Sequence, residues 1–243
     1  MDMNDLEIHR KLSDLETPVF SVSQLKAMFD LDYNGTVVKL NRLVRKGVLI
    51  RVVGGVYSLP DTDPLCISSF MEHPSYVSLW AALRYHDLTT QTPRIIDVIN
   101  TRRSKVITLR HSEGSFDIRF IKTGSDRMFG YSKRNIGGHS CFMADPERSI
   151  VDCLLYLSYI PIGEVIEAIN ERMNMEKLIE YSKMIGKQSM YKRIGYILEK
   201  NGSDIEPGIF GDLSDNYVRL DPSGERKGTY NRKWHIIQNG VIS

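Results

Sequence analysis

One stretch, Ser21 to Pro60, limits the fold more than any other. It reads SVSQLKAMFDLDYNGTVVKLNRLVRKGVLIRVVGGVYSLP. Ser21 stands three residues before Gln24, the spacing of a capping box. Val22, Leu25, Met28 and Phe29 follow at steps of three and four, giving a one-sided apolar stripe. Asn34-Gly35 supplies left-handed backbone at little cost, so a sharp turn is expected there. A second helix is then predicted from Thr36 to Lys46. Its Val37, Leu40, Leu43 and Val44 fall in one apolar arc of about 120°. Lys39, Asn41, Arg42, Arg45 and Lys46 take the other side, and Gly47 stands where a helix usually closes on glycine. Val48–Val52 and Val56–Leu59 suit two strands joined at Gly54-Gly55, a pair that permits primed hairpin turns. That order of helices, turn and ribbon describes a winged helix-turn-helix.

From Tyr33 to Pro60 there are five basic side chains and no acidic one. A helix with such a face fits a major groove about 12 Å wide. Asn34, Thr36, Val38 and Lys39 would then lie nearest the bases. Arg42, Arg45 and Lys46 are expected on phosphates, where a point charge suffices. Arg51, beside the hairpin tip, is the candidate for a backbone or minor-groove contact. The apolar arc carries no aromatic residue, which suits a membrane surface poorly.

The 243 residues allow two domains, and the polar Asp61-Thr-Asp-Pro64 places the expected boundary. Residues 1–60 would form the DNA-binding domain and 61–243 a larger α+β domain. A first helix is expected over 3–15, and further ones over 65–72 and 76–87. Strands are expected at 95–101, 106–110, 116–122 and 139–144. Helices follow from Asp145 and over 162–171, 175–185 and 188–200. Tyr217–Leu220 and Lys233–Gln238 close the chain as strands. Asp145-Pro146-Glu147 reads as an N-cap, proline at the first helical position and a dipole-matched acid. Trp80 and Trp234 are read as core anchors. Three scattered cysteines and no apolar leader point to a reduced, cytoplasmic protein.

Within the second domain, His73–Leu88, Thr92-Pro93, Phe129-Gly-Tyr131, Ala144–Cys153 and the ending Leu220-Asp-Pro-Ser…Lys227-Gly-Thr-Tyr-Asn…Lys233-Trp234 resemble the AbiEi antitoxins of type IV toxin–antitoxin (abortive infection) systems. The resemblance covers nearly the whole chain; Gly224 departs from the hydrophobic residue expected there. It implies an autorepressor whose N-terminal domain binds inverted repeats of double-stranded DNA in its own promoter. It also implies that residues 61–243 counteract a nucleotidyltransferase-like toxin without a stable complex. The alternative is a winged-helix regulator whose second domain senses a ligand or mediates assembly.

No enzymatic constellation stands out. Asp97 and Asp117 sit on neighbouring predicted strands, but Phe120 occupies the position two before Lys122 that a nuclease metal site needs acidic. The six histidines show no paired metal spacing, and no phosphate loop or nucleophile elbow occurs. No catalytic residue, metal or cofactor is therefore expected. Arg102, Arg103 and Lys105, with Arg226, Lys227, Arg232 and Lys233, remain as candidate contacts of the second domain. That domain is otherwise balanced, with 24 basic against 23 acidic residues.

Overall fold

A computed structural model describes residues 4–239 and shows an α+β protein. The chain divides into two compact units: one takes the chain up to Val77 with Pro93–Met143, the other Ser78–Thr92 with the chain from Ala144 on.

In the first unit, helix α1 (Asp5–Ser13) starts at a capping box between Asn4 and Glu7. A two-residue strand β1 (Phe20–Ser21) leads into α2 (Val22–Phe29), capped by Ser21 and Gln24 as the spacing predicts. α3 covers Tyr33–Arg45, and strands β2 (Ile50–Val53) and β3 (Val56–Ser58) follow. They join β1 in a three-stranded antiparallel sheet of order β1-β3-β2. Ile8, Leu12, Phe20, Leu25, Phe29, Leu40, Leu43, Leu49, Tyr57 and Leu59 form one buried cluster beneath them. At about 25 cal/mol per Å² of apolar surface removed from water, such a cluster is what holds three short helices to a minimal sheet.

Two local expectations are corrected. Asn34-Gly35 is not a turn but the first turn of α3. The chain reverses at Asp30, whose φ of 52° is left-handed, and Asp32 caps α3 by accepting from the Gly35 amide at 2.7 Å. A carboxylate cap that close leaves no room for a side chain at Gly35, where a Cβ would lie 2.7 Å from Asp32 Oδ1. At the hairpin tip only Gly55 is left-handed, with φ 78°, so the turn is not the primed type with both residues positive. Gly47 does close α3, with φ 73° and Val48 N–H reaching back to the Leu43 carbonyl at 3.0 Å.

α4 (Pro64–Phe70) then precedes a six-stranded mixed sheet. It comprises β4 (Ser75–Ser78), β5 (Ile95–Asn100), β6 (Lys105–His111), β7 (Gly114–Lys122), β8 (Tyr131–Ile136) and β9 (His139–Ala144), in the order β6-β7-β5-β4-β9-β8. β5 runs parallel to β7, β4 parallel to β9, and β6 antiparallel to β7. The helix predicted over 76–87 is a correction: Tyr76–Ser78 belong to β4, all four residues of which are buried. The expected boundary at Asp61–Pro64 falls inside this unit. Thr62 is fully buried, its carbonyl lies 2.9 Å from His111 Nε2, and Ser112 Oγ donates to the Pro60 carbonyl at 2.7 Å.

The second unit is built on α6 (Pro146–Leu155), buried along every residue from Glu147 to Leu154. α5 (Leu79–Tyr85), α7 (Ile162–Ala168), α8 (Met175–Ile185) and α9 (Gln188–Lys200) surround it. Arg148 and Asp152 form a fully buried ion pair at 2.7 Å, and Ser78 Oγ donates to the same carboxylate at 2.8 Å. Asp145 occupies the N-cap position but makes no side-chain cap. Its carboxylate instead accepts from Lys177 Nζ at 2.9 Å and Tyr181 Oη at 3.1 Å. A small sheet of order β10-β12-β11, from β10 (Val218–Arg219), β11 (Thr229–Asn231) and β12 (Ile236–Gln238), completes the unit. Trp234 is fully buried against α9, whereas Trp80 is half-buried, its indole N–H donating to the Tyr159 carbonyl, and is no core anchor.

Candidate nucleic-acid interface

α3 turns Leu40 and Leu43 inward, and its 3.6-residue period then fixes what faces out. Asn34, Val38, Asn41, Arg42 and Arg45 are exposed, Val38 at 67%. Tyr33, 61% exposed at the first helical position, joins them; periodicity alone gave no reason to select it. Arg42 makes no side-chain hydrogen bond or ion pair with the described residues. Arg45 reaches only the Asn41 carbonyl, at 3.4 Å. Arg51, on β2, donates to Asn41 Oδ1 at 2.7 Å and stacks over Tyr57 at 5.5 Å. The strand arginine is thus tied to the exposed side of the helix.

Three of the sequence candidates are placed otherwise. Thr36 is fully buried, and its hydroxyl donates to the Asp32 carbonyl at 2.7 Å, so it presents nothing to a base. Lys39 is 9% exposed with its ammonium 4.7 Å from the Phe29 ring centroid, a cation–π contact within the protein. Thr36 and Lys39 share the buried side of α3 with Leu40 and Leu43, at steps of three and four. Lys46 is exposed but pairs with Asp5 at 2.5 Å, so it is not a free cation.

The other basic groups divide similarly. Arg102, Arg103 and Lys105 converge on Glu72, at 3.9, 3.5 and 2.6 Å. Burial raises the Glu72 carboxyl, but the Lys105 hydrogen bond and the Lys105 and Arg103 charges outweigh it and hold the group below the usual carboxylate range. One internal acid therefore neutralises part of this patch. Lys233 pairs with Glu199 at 3.4 Å and Glu206 at 3.1 Å, and Lys227 with Glu225 at 2.9 Å. Arg226 and Arg232 are exposed with no ion-pair partner among the described residues.

Asp97 is fully buried and takes the Arg119 Nε hydrogen bond at 2.6 Å, while Asp117 accepts from Thr108 at 2.7 Å. Burial pushes the Asp97 carboxyl up despite Arg119. Each acid has its own partner, and among the described residues no cluster of three metal-ligating side chains occurs. No described helix is long and apolar enough to cross a membrane.

No family model and no curated protein matches this chain. Its fold is similar to that of the RV2827C protein from Mycobacterium tuberculosis. The TM-score is 0.62 at 12% identity, over 95% of this chain and 89% of that one. At that identity the likeness speaks for the fold.

Proposed function

We propose that residues 1–60 act as a winged helix-turn-helix on double-stranded DNA, and that the protein is the autorepressing antitoxin of a type IV toxin–antitoxin system. The observation that carries the DNA reading is the outer side of α3, which bears no acidic residue of its own and where Arg42 and Arg45 stand exposed and Arg51 is joined to Asn41. A 13-residue helix is about 20 Å long, enough to lie along a major groove. Asn34 and Val38 face the base edges in this reading; Val38 can meet a thymine methyl and Asn34 an adenine. Arg42, Arg45 and the remaining reach of Lys46 and Arg51 hold phosphates. The targets are inverted repeats in the protein's own promoter.

The antitoxin half rests on the family resemblance of residues 61–243, which oppose a nucleotidyltransferase-like toxin in the cytoplasm without enzymatic activity of their own. Footprinting on the DNA upstream of its gene tests the first half; protection of paired repeats is expected. The second half is tested in the full chain, because residues 60–62 are packed into the first unit. Co-expressed with the toxin, a repression-deficient Arg42→Ala/Arg45→Ala variant should still rescue growth. Loss of rescue at equal protein level would unite the two roles in α3 and refute their separation.

A further inference from the structure

We propose that the outer side of the β10-β12-β11 sheet binds a single-stranded segment of nucleic acid, stacking unpaired bases on Tyr217 and Tyr230. This site is separate from the duplex-binding side of α3 and does not depend on that reading. Three rings meet there. The Tyr217 and Tyr230 centroids are 5.1 Å apart at 66°, and those of Tyr217 and His235 are 5.2 Å apart at 65°. Register places Arg219, Ile237 and Tyr230 side by side across the sheet. Tyr230 is 54% exposed, and neither phenol has a hydrogen-bond partner among the described residues. His235 stands in the turn between β11 and β12 with a left-handed φ of 50°. Its Nδ1 lies 3.0 Å from the Ser214 carbonyl, which fixes the ring.

The cations fit the same ligand. Arg226 precedes β11 and Arg232 follows it, both exposed and without an ion pair among the described residues. Lys227 and Lys233 are already paired with acids and are not counted. Asp212 and Asp215 are exposed nearby, so long-range attraction is weak and stacking carries the affinity. Stacking is also what excludes a duplex. A paired base shows only its edges in the grooves, whereas a tyrosine face needs a base taken out of the stack.

The test is fluorescence anisotropy of the full chain with labelled RNA and DNA oligonucleotides of about 12 nucleotides. Binding to either is expected, and the preferred sugar identifies the natural strand. Tyr230→Ala should weaken binding about tenfold, with Tyr230→Phe near wild type. Arg226→Ala/Arg232→Ala should lower the salt slope by about 1.4, from two phosphate contacts at about 0.7 each. Operator-duplex binding should be unchanged in all of these. The proposal is overturned if neither oligonucleotide binds. It is equally overturned if binding survives Tyr230→Ala intact, or disappears in Arg42→Ala/Arg45→Ala instead. Should Tyr230→Ala unfold, the arginine pair decides the matter, since both side chains project into solvent.

Discussion

Gly195 sits in the middle of α9, where alanine would ordinarily be favoured by about 1 kcal/mol. Here the substitution should do the opposite. A Cβ on Gly195 would lie 2.0 Å from Trp234 Cζ3 and 2.3 Å from both Cε3 and Cη2. The ring cannot easily retreat. It is fully buried, meets Phe210 edge-on at 6.2 Å, and its indole N–H is hydrogen-bonded to Glu199, one turn along the same helix. Overpacking of this kind costs about 1–3 kcal/mol, and three ring atoms in conflict place it at about the upper end. Less the propensity gain, Gly195→Ala should destabilise by about 2 kcal/mol. For a chain of this size that lowers Tm by about 4–8 °C. Calorimetry or urea unfolding measures it, and a double-mutant cycle with Trp234→Leu isolates the clash. Each single change should destabilise, while the pair together should cost clearly less than their sum. A Gly195→Ala variant that melts above wild type would refute the close packing of Trp234 on α9.

Other outcomes follow from buried charge. Asp152→Ala takes the paired carboxylate from the fully buried Arg148 guanidinium and should cost about 3–5 kcal/mol in urea unfolding, whereas Arg148→Met/Asp152→Leu should cost much less. Glu72 is held below its ordinary value, so it adds stability above the carboxylate range and loses it as pH falls through its folded value. Glu72→Gln should therefore lower the urea midpoint at neutral pH and converge with wild type in acid.

The sequence made some elements plain and hid others for identifiable reasons. α8 falls at the bounds its spacing predicts, 175–185, since it is long enough for its period to show, and β9 falls at the expected 139–144. Tyr76, Leu79, Trp80 and Leu83 fall at helical steps, so the spacing predicts helix where β4 lies. A four-residue strand buried on both sides has no alternation to betray it. β8 escaped because Lys133, Arg134 and Asn135 are exposed on an edge strand that needs no apolar side. At the candidate interface, the basic character of α3 was legible but its rotation was not. Thr36 and Lys39 lie in the interior with Leu40 and Leu43, and Tyr33 stands exposed in the first turn that Asp32 caps. The partners that use up Lys46, Arg102, Arg103 and Lys105 lie far away in sequence, at Asp5 and Glu72, and no local spacing foretells them.

The most direct test of the central claim is a salt titration of binding to the protein's own promoter DNA, wild type against Arg42→Ala/Arg45→Ala. Each phosphate contact contributes about 0.9 to the slope of log affinity against log salt, so the variant's slope should be shallower by about 1.8. Its affinity should fall on every duplex sequence alike, because phosphates carry no sequence information. A variant that binds the promoter with the wild-type slope and affinity would contradict the assignment of α3 as the DNA-contacting helix.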